Sequence, residues 1–520
     1  MKLYTSGICT LALCACVYGM PALASPLQAP AHSEQKTHAN VTPPKATKSV
    51  THGSVTVEGS RIDYTATAGT IILSNRYGTP TGSIFYIAYT KDGVSDESQR
   101  PVTFFYNGGP GSSTVWLHMG AFGPKRIATN DHTHTPPAPY KLVNNDYSLL
   151  DATDEVFVDA MSTGYSRIIG KDQGGAGTSA LFYGVNQDAK AFSQFIMKYI
   201  GENNRWNSPK YLYGESYGTV RSEVLANMLE QQYDIDPNGV VLQSAYTGEG
   251  SFGSDTEFET DLPTEAAVAW YFHKIPNQPK DLPPFLAQVA QWATHQYAVA
   301  LLAGNSLSAS DFNAVAEKLH EYTGLSTAFI KKANLRISEG EFRHDLLGDQ
   351  DQTVGDLDGR FAGPSMSPLG PSAAYDPQSA GISAAYVAGF NMYVHNTLKY
   401  GRGETYRPEA YNIVTGWSHT GGRSRFGRGG RVDPGADLAS AMKYNPLLRV
   451  EVDAGYFDLN LPYYGMVNSV NHLALPKDLQ SHIQFKYYYS GHMIYVHVPA
   501  LKKLHDNTAA FIHSTEGGQQ

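Results

Sequence analysis

Residues 211–218 read Tyr-Leu-Tyr-Gly-Glu-Ser-Tyr-Gly, and within them lies the pentapeptide Gly-Glu-Ser-Tyr-Gly. This pattern predicts a nucleophile elbow, in which Ser216 lies at a sharp turn between a strand at 210–213 and a helix that begins near Tyr217. Gly214 and Gly218 suit such a turn because strand and helix approach too closely for Cβ atoms. By itself the pentapeptide leaves two interpretations open, a catalytic serine or a tight turn that carries a serine.

Short apolar segments alternate with helical segments on both sides of this turn. The candidate strands are 102–106, 155–159, 210–213, 240–242, 448–452 and 484–489, and helical patterns cover 180–200 and 217–232. Strands that alternate with helices predict an α/β fold with a central, mostly parallel sheet and helices on both faces. Functional residues in such sheets gather at the carboxyl ends of the strands.

Two further segments differ from this alternation. Residues 54–90 contain short alternating stretches separated by Gly and Pro, which predict antiparallel hairpins. Residues 263–370 are mostly helical in pattern and contain no good buried strand. We interpret 263–370 as a helical cap inserted into an α/β core of 51–262 and 371–515, over the edge where a substrate would enter.

The N-terminal residues 1–24 have the pattern of a secretory signal peptide, with an early lysine, a short apolar stretch and Ala-Leu-Ala before Ser25. An alternative makes Cys16 the acylated first residue of a lipoprotein. All three cysteines lie in this segment, so cleavage after Ala24 leaves a cysteine-free chain, which fits export to a bacterial periplasm or beyond. Residues 25–50 are poor in large apolar groups and predict a flexible linker.

Composition and charge exclude several classes of partner. The formal net charge of −9 and a pI near 6.0 disfavour binding to nucleic acid. After the leader, no uncharged apolar stretch approaches the roughly 18 residues that a transmembrane helix needs. The sequence does not indicate an oligomeric state.

A glycine-rich loop, Asn107-Gly108-Gly109-Pro110-Gly111-Ser112, directly follows the candidate strand that ends at Tyr106. Such a loop can present a backbone N–H to the oxyanion that also meets the N–H of the residue after the nucleophile. We therefore predict an oxyanion hole formed by Gly109 and Tyr217. A phosphate-binding loop is the alternative, but the segment lacks the Gly-Lys-Ser/Thr ending and does not fit G-x-G-x-x-G.

An acid and a histidine follow two later candidate strands, in the order Ser, Asp, His that is typical of α/β-hydrolases. His492 is the candidate general base for Ser216, and Asp458 is the candidate that orients its imidazole. Asp453 is the alternative acid, and His482 and His497 are the nearest alternative histidines.

No metal or cofactor is expected. Asp349, Asp351 and Asp356 resemble a calcium loop, but a valine and an arginine replace its glycine and its glutamate. His132 and His134 lie in a proline-rich loop without further ligands nearby, which favours a solvated loop over a metal site.

Taken together, the glycine-rich loop, the elbow, the Asp458 loop and Gly-His-Met at 491–493 resemble the serine carboxypeptidase family of α/β-hydrolases, in particular a bacterial secreted member. The resemblance spans residues of about 60 to 510 in order and spacing. It implies an enzyme that removes C-terminal residues from peptides. It also implies a substrate-binding set of Asn107, Gly108, Glu215 and Met493.

One family residue has no counterpart. The family holds the substrate's terminal carboxylate with an asparagine and two glutamates that share a proton, and these imply Asn107 and Glu215 here. The position of the second glutamate falls on Ala121. We therefore expect a different donor for the carboxylate, such as Lys125, Arg126 or His118, and a pH optimum displaced towards neutral.

The sequence thus predicts an exported serine hydrolase that forms an acyl-enzyme on Ser216, with a carboxypeptidase as the preferred activity. An esterase, amidase or acyltransferase with the same triad is the first alternative, because the triad sets acyl transfer and not the acyl donor. A non-catalytic binding protein that keeps the fold is the second.

Overall fold

The computed structural model describes residues 41–246, 254–420, 423–424, 427–428 and 431–515. The predicted signal peptide, the alternative acylation site at Cys16 and most of the predicted linker lie outside these residues. From Thr42 onward the chain forms one compact unit. Among the described residues, no helix combines the length and apolar character needed to cross a membrane.

The strands of the described chain are numbered in sequence order. They are β1 (Lys48–Val57), β2 (Ser60–Ser74), β3 (Pro80–Lys91), β4 (Val102–Tyr106), β5 (Lys125–Ile127), β6 (Leu142–Asn144), β7 (Asp154–Val158), β8 (Arg167–Ile168), β9 (Lys210–Glu215), β10 (Gly239–Gln243), β11 (Gln352–Val354), β12 (Ala362–Pro364), β13 (Arg423–Ser424), β14 (Gly427–Arg428), β15 (Arg449–Gly455) and β16 (Ile483–Tyr488).

The α-helices of the described chain are numbered in the same way. They are α1 (Val185–Glu202), α2 (Tyr217–Tyr233), α3 (Asp255–Tyr271), α4 (Leu282–Trp292), α5 (Ala298–Ala303), α6 (Ala309–Thr323), α7 (Thr327–Lys332), α8 (Glu339–Asp345), α9 (Pro377–Asn396), α10 (Pro434–Tyr444), α11 (Tyr463–Asn471), α12 (Lys477–Gln480) and α13 (Val498–Thr515).

One large sheet runs through the molecule in the order β1-β2-β3-β7-β4-β9-β10-β15-β16, with β8 paired to β3. The pairs from β7 to β16 are parallel, whereas β1, β2 and β3 form antiparallel hairpins and β3 pairs antiparallel with β7. All six predicted strands are present within two residues at either end, except that β15 extends further at its C-terminal end. The predicted mostly parallel sheet and its α/β fold class are confirmed.

Helices cover both faces of the sheet because successive strand residues point to opposite sides. On β4, Phe105 packs with residues of α9 and α13, while Phe104 and Tyr106 pack with α1 and α2. Helix α1 buries Phe192, Phe195, Ile196 and Tyr199, a spacing of three and four residues that places them on one helix face. The centre of the sheet is therefore inaccessible to water, and we expect functional residues at the ends of its strands.

Helices α3 to α8 and the β11–β12 hairpin come after β10 and before β15 in the sequence. They share a third apolar cluster. Pro263, where we placed the start of the cap, lies inside α3, which begins at Asp255. Buried apolar residues on both sides of Pro263 keep the helix continuous, although proline usually interrupts a helix. Phe457 and Leu459, on either side of Asp458, belong to the same cluster, so these helices pack directly against the Asp458 loop.

The predicted linker also ends earlier than its composition indicates. Strand β1 begins at Lys48 and pairs with β2 along its whole length. Its hydrogen bonds are made by the backbone, which a segment poor in apolar side chains can supply as well as any other.

Candidate active site

Ser216 lies at the turn between β9 and α2, as the pentapeptide predicts, with φ 61° and ψ −131°. The turn is tight on both sides: a Cβ on Gly214 would lie 2.1 Å from the Gly218 carbonyl oxygen, and one on Gly218 would lie 2.8 Å from the Tyr106 carbonyl oxygen. The Ser216 N–H donates to the Gln243 carbonyl at the end of the neighbouring strand, at 3.0 Å. The strained backbone thus presents the hydroxyl at the carboxyl edge of the sheet.

The structure brings Asp458 and His492 together. Asp458 Oδ2 lies 2.8 Å from His492 Nδ1, and both side chains are buried. The alternative acid, Asp453, instead accepts a hydrogen bond from the Tyr488 hydroxyl at 2.6 Å. The alternative histidine His497 faces Asp131 at 3.8 Å. Because Nδ1 of His492 is held by Asp458, Nε2 is the nitrogen that remains for proton exchange with a nucleophile.

The charge of His492 depends on the carboxylates around it. Burial disfavours the imidazolium, but attraction and hydrogen bonding to Asp458, together with Glu215 and Asp356, outweigh burial and raise the pKa of His492 to about 9. Asp458 is buried as well, which raises its pKa, while His492 acts in the opposite direction. Protons on these groups are therefore coupled.

The glycine-rich loop lies against the N-terminus of α2. A Cβ on Gly108 would lie 2.3 Å from the Tyr217 nitrogen, and Gly109 has a φ of 105° that favours glycine. Arg221 of α2 donates to the Asn107 carbonyl at 2.7 Å and pairs with Asp188 at 2.7 Å in the interior. The predicted oxyanion residue Gly109 thus lies in a loop that packs against the start of α2, where Tyr217 is located.

Glu215 is buried and accepts hydrogen bonds on both carboxyl oxygens. Asn107 Nδ2 donates to Oε1 at 2.9 Å, and Gln243 Nε2 donates to Oε2 at 3.0 Å. Burial raises the pKa of Glu215 to about 7, although His492, Tyr495 and Asn107 act to lower it. Glu215 therefore changes protonation state in the neutral range.

The predicted site residues share one cavity of about 380 Å³. Its lining includes Asn107, Gly108, Gly109, Glu215, Ser216, His492 and Met493. The predicted oxyanion donor Tyr217 lies behind this lining, at the start of α2. A nucleophile, a histidine–carboxylate pair, clustered backbone N–H groups and a titratable carboxyl in one cleft suit acyl transfer.

Comparison with known proteins gives a family match for part of the chain. Residues 75–295 match the family model described as serine carboxypeptidase. The matched segment contains the glycine-rich loop and the elbow, whereas Asp458 and His492 lie beyond it and reach the site through the fold. No curated protein matches the chain.

One solved structure with a TM-score above 0.5 supports the fold. A prohormone-processing carboxypeptidase from Saccharomyces cerevisiae, Kex1(delta)p, has a TM-score of 0.53 and 15% identity, covering 86% of this chain and 92% of its own. A proline iminopeptidase from Mycobacterium smegmatis has a TM-score of 0.37 and 11% identity over 86% and 98% of the two chains. An esterase from Thermogutta terrifontis has a TM-score of 0.34 and 12% identity over 86% and 99%.

Ala121 is buried in a wide helical turn, Leu117–Phe122. The adjacent Gly120 lies against aromatic side chains: a Cβ on Gly120 would lie 2.6 Å from the Tyr495 ring and 2.8 Å from the Tyr386 hydroxyl. Aromatic rings from other segments therefore pack closely against this turn.

The expected substitute donors lie elsewhere. His118 is buried, bonds the Tyr89 hydroxyl through Nε2 at 2.7 Å, and has its pKa lowered to about 3 by burial. Lys125 and Arg126 lie on β5 and do not contribute to the described lining of the cavity. The expectation that one of these three cations faces the substrate carboxylate is not met.

Carboxyl groups dominate the charge of the cavity. Glu215, Asp356, Asp376 and Glu409 line it, and its described lining includes no lysine or arginine. Burial raises the pKa of Asp356 to about 7. A substrate carboxylate entering this field needs protonated neighbours, since two carboxylates at hydrogen-bonding distance repel each other.

Segment 356–360 forms hydrogen bonds with the loops that carry Asp458 and His492. The sequence assigned no function to this segment. The Leu357 carbonyl accepts from His492 N–H at 2.6 Å, and the Asp356 carbonyl accepts from Leu459 N–H at 3.0 Å. Asp358 accepts from Gly491 N–H at 3.1 Å and pairs with Arg360 at 2.6 Å. Its only sequence signal is an acidic cluster that resembles a calcium loop, so its role is visible only in three dimensions.

We predict that Asp358→Ala lowers both stability and activity, because it leaves Arg360 buried without its main partner and frees the Gly491 amide. Removing one member of a buried ion pair costs about 3–5 kcal/mol. Thermal unfolding and kcat measured on the folded fraction would show both effects. Asp349→Ala is the control, since Asp349 makes an exposed pair with Lys274. Equal behaviour of the two variants would contradict a role for the segment.

Proposed function

We propose that the chain cleaves the C-terminal residue from peptides through an acyl-enzyme on Ser216. The observation that carries this proposal is the placement of the buried Asp458–His492 pair and of Glu215 on the cavity that contains Ser216. The match to the serine carboxypeptidase family supports the same activity.

The first half of the reaction forms the acyl-enzyme. Ser216 Oγ attacks the scissile carbonyl carbon while His492 Nε2 takes the hydroxyl proton. Asp458 holds the imidazole by its Nδ1–H and stabilises the imidazolium. The N–H groups of Gly109 and Tyr217 bind the oxyanion as the C–O bond to Ser216 forms.

The second half releases the products. The C–N bond breaks and the released amino acid takes the proton from His492, which returns to the neutral state. A water molecule then gives its proton to His492 and attacks the ester carbonyl. The ester bond breaks, Ser216 regains its proton, and the shortened peptide leaves with a new carboxylate.

Glu215 and Asn107 are the proposed groups for the terminal carboxylate. Glu215 binds it in the protonated form, by donating a hydrogen bond that a charged Glu215 cannot supply. The same proton removes one of the charges that raise the pKa of His492. The active form therefore has a protonated Glu215 and a neutral His492. The two groups together carry one proton, which can occupy either site.

Paired substrates test this function. We expect a blocked dipeptide with a free carboxylate to be cleaved at least about tenfold faster in kcat/KM than its C-terminal amide, because a hydrogen bond to a charged group contributes about 1.5–3 kcal/mol. Equal cleavage of the two would remove the carboxypeptidase function and favour an esterase or amidase with the same triad.

The pH profile for the free-carboxylate peptide gives a second prediction. We expect a bell-shaped dependence of kcat/KM whose limbs are set by the Glu215–His492 pair, with pKa values of about 7 and about 9. The active form holds one proton on this pair, so activity is lost when a second proton binds below the maximum and when the last proton leaves above it. A sharp maximum near pH 5 would contradict this assignment.

Export and the division into core and cap are part of the proposal. The sequence pattern of 1–24 supports export to the periplasm or the medium, and the packing of α3 to α8 on the Asp458 loop supports a cap over the site. Mass spectrometry of the mature N-terminus tests export: a chain starting at Ser25 is expected, and a lipid-modified Cys16 would instead support the lipoprotein.

A further inference from the structure

Gln243 is a buried polar residue at the carboxyl end of β10 for which the sequence offers no role. Its exposed fraction is 0%, and in the sheet it lies between Glu215 on β9 and Asp453 on β15. A buried side-chain amide is costly unless its donors and acceptor are bonded. The role of Gln243 therefore follows from its hydrogen-bond partners.

The orientation of the Gln243 amide is fixed by its neighbours. Nε2 lies 3.0 Å from Glu215 Oε2 and 3.3 Å from the His492 carbonyl oxygen, which both accept. Oε1 accepts from the Tyr213 hydroxyl at 2.8 Å. A flipped amide would direct its oxygen at a carbonyl and would lose these bonds, so the N–H groups must face Glu215 and His492.

The backbone of the same residue contacts the nucleophile. The Gln243 carbonyl accepts the Ser216 N–H at 3.0 Å. One residue thus contacts the elbow, the carboxyl that faces the substrate, and the loop that carries the base. Ser244 adds a second bond to the His492 carbonyl at 2.7 Å but has no bond to Glu215.

We propose that Gln243 is the positioning residue for recognition of the peptide's terminal carboxylate, because its amide holds the Glu215 carboxyl in place. This inference rests on the proposed carboxypeptidase function and assigns a residue that acts through Glu215. An amide differs from a carboxyl in one respect: it donates to Glu215 at every pH and shares no proton with it.

The pH behaviour follows from the groups around Glu215. The titratable groups that face it are His492, Asp458, Tyr495, Tyr386 and Tyr213. The tyrosines stay protonated in the working range because burial raises their pKa values. In Gln243→Glu a second carboxyl would lie beside Glu215, and such a pair keeps one proton to higher pH than a single carboxyl does.

Two variants separate positioning from packing. Gln243→Met keeps the side-chain length but removes the bond to Glu215, and we expect it to lower the preference for free-carboxylate over amidated peptides roughly tenfold. Gln243→Glu restores a polar partner, so we expect it to retain that preference and to move the alkaline limb of the free-carboxylate profile upward by about one pH unit. Ser244→Ala is the control, with an unmoved alkaline limb.

The measurements are kcat/KM against pH for wild type and each variant, on a blocked dipeptide, its amide and a short-chain ester that lacks the carboxylate. An ester profile whose alkaline limb is unchanged would show that the triad still works. The inference is overturned if both Gln243 variants keep the wild-type alkaline limb and preference, or if they lose activity equally on all three substrates. Failure of the wild type to prefer the free carboxylate would instead overturn the proposed function.

Discussion

Ser216→Ala is expected to reduce kcat/KM for a C-terminal peptide bond by about 10⁵-fold or more, the scale seen when a triad nucleophile is removed. The strained backbone at φ 61° places Ser216 at the elbow turn, and this side chain lines the cavity. Binding of peptide should persist, because Asn107 and Glu215 remain. The loss should therefore appear in kcat.

A fluorophosphonate probe provides the direct measurement. Wild type should be labelled at Ser216 and Ser216→Ala should not. Ser112→Ala is the matched control: Ser112 also lines the cavity, but its hydroxyl is bonded to the Trp116 indole at 2.8 Å. Labelling of Ser216→Ala at the wild-type rate would exclude this nucleophile, and absence of labelling in the wild type would favour a non-catalytic binding protein.

Asp458→Asn is expected to lower kcat by roughly 10⁴-fold, as for the equivalent change in other triads. An amide in place of the carboxylate no longer stabilises the imidazolium, and it favours the tautomer with the proton on Nε2. The same change removes the main charge that raises the pKa of His492. The acid limb of the remaining activity should therefore move to lower pH.

Asp453→Asn is the control for this prediction. Asp453 is equally buried and lies five residues earlier on the same strand and loop, but its partner is Tyr488. We expect a change in stability with kcat of the folded fraction close to wild type. A larger loss of kcat in Asp453→Asn than in Asp458→Asn would reverse the assignment of the acid.

The sequence predicts those parts of the site that depend on residues close to one another along the chain. Glycines mark where backbone segments touch, so the elbow at Ser216 and the loop at Gly108 are recognisable from residue order alone. Asp458 and His492 follow predicted strands, and parallel strands end at one edge. The order of these segments was enough to identify the α/β fold, and it led to the prediction of a site at the carboxyl edge.

The remaining parts depend on contacts between distant segments. Gln243 is one polar residue at the end of an apolar strand, and nothing in its neighbours along the chain indicates that Glu215 lies beside it. Asp358 and Arg360 lie beside an acidic pattern, Asp349, Asp351 and Asp356, that resembles a calcium loop, and their pairing is not evident from it. Arg221 and Asp188 pair across two helices, a contact that helix periodicity does not reveal. These are side-chain partnerships, which no local pattern encodes.

The missing glutamate illustrates the same limit. The alignment of motifs places the second glutamate at Ala121, but it does not indicate what packs around this turn, and the expected donors His118, Lys125 and Arg126 lie outside the described lining of the cavity. Tyr495 and Tyr386 pack against the adjacent Gly120 from segments far along the chain. Packing between such distant segments is visible only in the folded chain.

The bonds from segment 356–360 to both catalytic loops have a consequence for how the protein unfolds. Because Leu357 and Asp358 contact the His492 loop and Asp356 contacts the Asp458 loop, the segment between β11 and β12 is joined to both loops by hydrogen bonds. The three segments should open as a single cooperative unit, with their backbone amides exchanging with solvent deuterium at similar free energies.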